Sequence, residues 1–219
     1  MVDSRRNKKY MRKTRKTSGS KQYRGTNVTN LDETFRGKNF FRKYGASITE
    51  TAICKILKKN PHPNIVKVYR ITDSYIDIEL LTPINSEKNY DKNTLISEAL
   101  LVKNFLQNLG IMYIDWKPDN MGIGADGKYK LFDFDLSGIT CSPLVANTTK
   151  KYLKSKGILH DHCKTNKKWR MSPSTLNWTY RQALANGLKD PKEIDDFAFD
   201  INFIRKNYVE LNNSDIPTF

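Results

Sequence analysis

Apolar positions along the chain change period several times, and each change marks an element. In "SITETAICKILKK" (47–59), Ile53, Ile56 and Leu57 fall on one helical face, and Ser47 precedes Glu50 by three, the spacing of a capping box. "PHPNIVKVYRI" stops that helix and begins a strand, and "SYIDIELL" alternates apolar with polar residues as a paired strand should. "FFRKY" (40–44) reads as a further short strand. "NTLISEALLVKNFLQNLG" is a long amphipathic helix, with Gly110 placed to end it. A loop, a strand, an "ADGK" turn and a second strand follow. Beyond Thr140 the pattern weakens until "KEIDDFAFDINFIRKN", a last helix. This order predicts an α+β chain with a tail over 1–26, a strand-and-helix lobe over 27–82 and a more helical lobe over 83–219. A cleft between two lobes is a usual place for a small ligand.

Composition adds a partner and removes some classes. With 219 residues and 11% aromatic, the chain can bury a core despite only 38% hydrophobic residues. The formal charge is +15, and the first sixteen residues carry eight Lys/Arg against one acid. Such a block is either a solvated tail or a contact for an anionic partner, with nucleic acid, a capsid surface and an import receptor all open. Cys54, Cys141 and Cys163 are far apart and odd in number, so no disulfide framework is expected and a reducing, intracellular setting is. No apolar run approaches the roughly 18 residues that span a bilayer, so no membrane partner is expected.

The chemistry is concentrated in "GIMYIDWKPDNMGIGADGKYKLFDFDLSG" (110–138). Asp115 and Asn120 share one loop, and a hairpin then returns the chain to Asp133. Asn120 and Asp133 are hard oxygen ligands of the kind Mg²⁺ takes beside phosphate oxygens. Asp115 can accept a hydroxyl proton, and Lys117 can neutralise charge on a moving phosphoryl group.

Here the sequence resembles the eukaryotic-type protein kinases. "YIDWKPDN" stands where that family has His-Arg-Asp-Leu-x-x-x-Asn, and "DFD" where it has Asp-Phe-Gly. The resemblance implies a two-lobed kinase-like fold with a reduced first-lobe sheet and a truncated helical second lobe. It implies ATP and Mg²⁺ as cofactors and Ser/Thr hydroxyls of a protein as acceptor. Asp115 and Lys117 would be catalytic, and Asn120 and Asp133 the metal ligands. Glu50 would pair with the phosphate-binding lysine, for which Lys43 is the candidate and Lys38 the fallback. Ile78 would be the gatekeeper, Glu79 to Leu81 the hinge that contacts adenine, and Asp196 the buried carboxylate of a later helix. The small, Lys/Asn/Ile-rich character resembles kinases of large DNA viruses, which would place the protein in host cytoplasm or virion.

Several departures matter. No Gly-x-Gly-x-x-Gly run covers the phosphates; Tyr113 and Ile114 replace His and Arg; Asp135 replaces the glycine of the metal motif; no Ala-Pro-Glu is found. They keep two other readings open: a pseudokinase or virion module that docks through the basic tail, and a small-molecule kinase. "HDHC" (160–163) reads as an exposed loop before it reads as a zinc site, and "NKKWR" as a solvated face before a nucleic-acid site.

Overall fold

The computed structural model describes residues 22–23, 40–84, 90–141, 150–157, 163 and 168–205. The rest of the basic tail, Lys38, most of the stretch searched for a glycine loop, and His160 to His162 lie outside the described residues. The architecture is α+β, with small antiparallel sheets and helices.

The four-stranded sheet has the order β1-β2-β4-β3. It comprises β1 (Gln22–Tyr23), β2 (Phe40–Tyr44), β3 (Val68–Ile71) and β4 (Tyr75–Glu79). β2 pairs with β4 from Phe40↔Glu79 to Tyr44↔Tyr75, which sets Arg42 opposite Asp77 and Lys43 opposite Ile76. Asp77 is fully buried and takes a two-pronged bond from Arg42, 2.6 and 2.8 Å long. The Arg42 guanidinium also lies 3.9 Å from the Tyr75 ring centre, so the strand bearing Lys43 is braced from one side.

α1 (Ile48–Lys59) follows β2 after a turn in which Gly45 has φ 69°. Ser47 caps it by accepting from the Glu50 N–H, and Lys58 and Lys59 complement its C-terminal dipole. Its buried face holds Ala52, Ile53, Ile56 and Leu57, and Glu50 shares that face at 3% exposure.

β5 (Thr82–Pro83) leads toward α2 (Lys92–Asn108), which Asp91 caps and Gly110 ends at φ 74°. Leu95, Ala99, Val102 and Leu106 form the buried stripe of α2. Two three-stranded sheets flank the central loop. β5 joins β7 (Met121–Ile123) and β8 (Tyr129–Leu131), the hairpin read from "ADGK". β6 (Ile111–Met112) and β10 (Trp169–Met171) flank β9 (Gly138–Thr140). α3 (Trp178–Ala185) and α4 (Pro191–Phe199) follow in the same region as α2, and α4 runs on as a π-helix over Asp200–Arg205.

The largest apolar cluster sits under the central loop. Trp116 packs edge-on against Phe199 with centroids 5.0 Å apart, and Tyr113 contacts both Trp116 and Phe134. Tyr113, Ile114 and Trp116 are wholly buried. Truncating such an aromatic side chain costs about 3–5 kcal/mol, so the backbone on either side of Asp115 is anchored by its neighbours.

Three sequence expectations are corrected. Cys141 and Cys163 form a disulfide. β9 and β10 pair, and the Cys141 N–H donates to the Lys168 carbonyl, so the fold brings together cysteines that sequence distance kept apart. In "NKKWR", Trp169 and Arg170 are buried in β10, with Trp169 edge-on to Tyr180, so this part is no solvated face. The buried acid of α4 is Asp195, with Asp196 on the outer side.

Candidate active site

Lys43 projects from β2 into a knot of carboxylates. Its Nζ lies 2.9 and 2.7 Å from the two Glu50 oxygens, 2.8 Å from Asp133 Oδ1 and 2.8 Å from Asp135 Oδ2. Burial alone would lower the lysine's pKa; the Glu50 and Asp133 charges more than offset it, and the ammonium stands above its ordinary value. Burial pushes Glu50 upward, with Lys43 pulling against it. Burial would raise Asp135, but the hydrogen bonds from Lys43 and the Ser47 N–H outweigh it and hold the carboxylate down at about 2. The Phe134 N–H also donates to Glu50, tying the metal-motif segment to α1. Asp133 has φ 61°, a left-handed conformation that aspartate tolerates better than most residues.

Beside this knot is a cavity of about 320 Å³, a size usual for small ligands. Phe41, Ile78, Leu81 and Phe132 give it apolar walls, while Lys43, Glu50 and Asp133 stand at its polar end. Glu79 lines it too, but the Glu79 carboxylate is committed to Lys130 at 2.7 Å.

Asp115 sits on the other side of the hairpin, half-buried. Its Oδ2 accepts from Asn120 Nδ2 at 2.7 Å and lies 2.9 Å from Lys117 Nζ; its Oδ1 accepts from Asn177 Nδ2 at 3.2 Å. Ile114 has φ 65°, costly for a β-branched residue. Its N–H donates to Asp195 Oδ1, which also accepts from the Trp116 indole N–H at 2.8 Å. A buried carboxylate thus holds the unusual backbone that aims Asp115 outward. A second hollow of about 530 Å³ adjoins Asp115, and Leu176 and Trp178 on its wall are 84% and 52% exposed.

The two groups meet at the hairpin base, where the Phe132 N–H donates to the Asn120 carbonyl and so sets Asp133 next to Asn120 in space. Asn120 spends its amide N–H groups on the Asp115 carbonyl and carboxylate, so its amide oxygen is the atom it has to offer a cation. An amide oxygen and a carboxylate oxygen, from Asn120 and Asp133, are donors of the kind Mg²⁺ takes. Among the described residues Glu50, Asp133 and Asp135 also bring one oxygen each within 4.8 Å of one another, but both Asp135 oxygens are already engaged, by the Ser47 N–H and the Lys43 ammonium.

Comparison with known proteins gives the same direction. No family model matches the chain. A mouse sperm motility kinase 3A is 26% identical over 95 residues, 37% of this chain and 19% of that one. An Arabidopsis thaliana serine/threonine-protein kinase is 46% identical over 55 residues, 25% of this chain and 11% of that one. A putative ribosomal protein S6 kinase alpha-1 of Caenorhabditis elegans is 29% identical over 127 residues, 47% of this chain and 16% of that one. The matches support a protein-kinase-like family and, at that level, a protein kinase function. They carry the kinase resemblance but give the viral one no support. The chain spans about a fifth of the length of the sperm motility kinases it matches.

Two residues of the site escaped the sequence reading. Asn177 is buried, and its side-chain oxygen caps α3 by accepting from the Tyr180 N–H while its amide holds Asp115. Nothing local in "STLNWTY" marks it. Asp195 was readable: Ile194, Asp195, Ala198 and Phe199 recur at helical spacing on the buried stripe of α4, and Asp196 falls off it.

Proposed function

We propose that the protein transfers the γ-phosphate of ATP to Ser/Thr hydroxyls of a protein, through a reduced, two-lobed kinase-like arrangement. The four-stranded sheet with α1 would be one lobe, the α2–α4 region the other, and the 320 Å³ cavity the cleft between them. The observation that carries the reading is Lys43, on β2, paired with Glu50 on α1 and with Asp133 at the polar end of that cavity.

When bound, Mg²⁺-ATP supplies the phosphoryl group and a cation to offset its charge. Asn120 and Asp133 would hold the cation, and Lys43, steadied by Glu50, would hold phosphate oxygens. Ile78 and Leu81 would flank the base, with the Glu79-to-Leu81 backbone as its polar edge. Asp115 would take the acceptor hydroxyl's proton, with its carboxylate fixed by Asn120 and Asn177 so that little reorientation is needed. Lys117 would sit over the transferred group. The exposed Leu176 and Trp178 beside Asp115 favour an acceptor with flanking residues over a small free alcohol.

The test is transfer of labelled γ-phosphate to Ser/Thr-containing proteins and to small alcohols. The reading predicts transfer to protein that Asp115→Ala abolishes. Transfer only to small alcohols, or transfer indifferent to Asp115, would overturn it.

A further inference from the structure

Glu50 is the third residue of α1 behind its Ser47 cap. In a capping box the glutamate there reaches back to the cap's own backbone N–H. Only half of that box exists here. Ser47 Oγ accepts from the Glu50 N–H at 3.0 Å, but the Ser47 N–H donates to Asp135 Oδ1, also at 3.0 Å. Glu50 turns the other way, onto Lys43. The Ser47 N–H and the Lys43 ammonium are therefore rival partners for one carboxylate. The first is occupied by Asp135, whose other oxygen meets Lys43 at 2.8 Å.

We propose that Asp135 is a positioning residue: by capping α1 in place of Glu50, it keeps Glu50 on Lys43 and α1 drawn against the metal-motif segment. The inference rests on the reading of Lys43 as the phosphate-binding lysine. It gives a reason for aspartate where the resembling family has glycine, which has no side chain to reach either partner. Without the Asp135 carboxylate, the Ser47 N–H draws Glu50 into the capping box within the first turn of α1, with the Phe134 N–H as its remaining tie to the metal-motif segment, and Lys43 keeps Asp133.

Two measurements on the full chain test this. The first needs no nucleotide. The stability losses of Lys43→Met and Glu50→Gln are measured by denaturant unfolding, singly and together, with Asp135 present and with Asp135→Ala. The losses are expected to be non-additive with Asp135 and additive without it; coupling that survives Asp135→Ala overturns the proposal. The second is Mg²⁺-ATP affinity by calorimetry. Asp135→Ala is expected to weaken binding by roughly tenfold or more. Asp135→Asn, whose amide oxygen still accepts from Ser47, is expected to weaken it less. Asp135→Gly serves as the second variant should the alanine form fail to fold, with the same expectation. Binding by the parent chain that Asp135→Ala leaves unchanged overturns the inference alone. No binding by the parent chain overturns the functional reading, while the unfolding cycle still decides the role of Asp135.

Discussion

A buried aspartate and a partly exposed pair of aspartates meet opposite fates in this chain. Asp195 is wholly buried and accepts from uncharged donors, the Ile114 N–H, the Trp116 indole and the Gln107 amide. Burial raises its pKa despite those bonds. Asp133 and Asp135, by contrast, are 42% and 35% exposed at the side chain and face the Lys43 ammonium. The first arrangement is fixed, because the Ile114 backbone and the Trp116 indole that bind it are wholly buried. The second is ionic and reachable from the cavity, so its partners can be exchanged when a charged ligand arrives. On the proposed reading, Asp115 as base would hang from the fixed region and the phosphate grip of Lys43 from the exchangeable one. A phosphoryl-transfer site needs a steady acceptor of protons and a grip that can open.

The largest effect should come from breaking the fixed region. Asp195→Ala strands the buried Ile114 and Trp116 N–H groups, each costing about 1–3 kcal/mol, so roughly 2–6 kcal/mol of stability should vanish in denaturant unfolding. Next, Asp115→Asn sets an amide NH2 against one of the two asparagine amides that Asp115 accepts from, so it should cost about 1–3 kcal/mol of stability while phosphate transfer falls by roughly 10²–10⁴-fold, the worth of a positioned base.

A smaller effect is expected with pH. Asp135 and Asp196 are both held at about 2, below the ordinary 3.8. A carboxylate so lowered takes up its proton less readily folded than unfolded. Its contribution is therefore present above about pH 4 and is lost as pH falls through about 2. Asp135→Asn should make the stability curve less steep across that acid window, as read from urea midpoints between pH 5 and 2. The smallest effect is expected at Lys156, whose ion pair with Asp73 lies in solvent. Lys156→Ala should leave the midpoint within error.

Most of the fold between 40 and 138 was legible because its elements are local and strongly patterned. "FFRKY", the capped α1, the long α2 and the "ADGK" hairpin each declare their period and their ends. β9, β10 and α3 were missed. β9 and β10 are three-residue strands, too short for a period, and they depend on pairing across some thirty residues. The disulfide was missed for the same reason, since the pairing of β9 with β10 is what brings the Cys141 segment toward Cys163. In the site, the clustering of Asp115, Lys117, Asn120 and Asp133 in one loop and hairpin drew attention to them, and the kinase resemblance supplied their roles and the candidate Lys43. Asp135 was noticed as an oddity, but its bond to the Ser47 N–H spans 88 residues, and no local pattern announces such a contact.

The most direct measurement separates grip from chemistry in one pair of variants, Lys43→Met and Asp115→Asn. For each, protection from thermal unfolding by Mg²⁺-ATP and γ-phosphate transfer to protein are measured together. The account predicts that Asp115→Asn is protected like the parent chain yet transfers almost nothing, while Lys43→Met loses most of its protection. If Asp115→Asn transfers phosphate like the parent chain, or Lys43→Met is protected equally well, the assignment of base and grip to these two regions is contradicted.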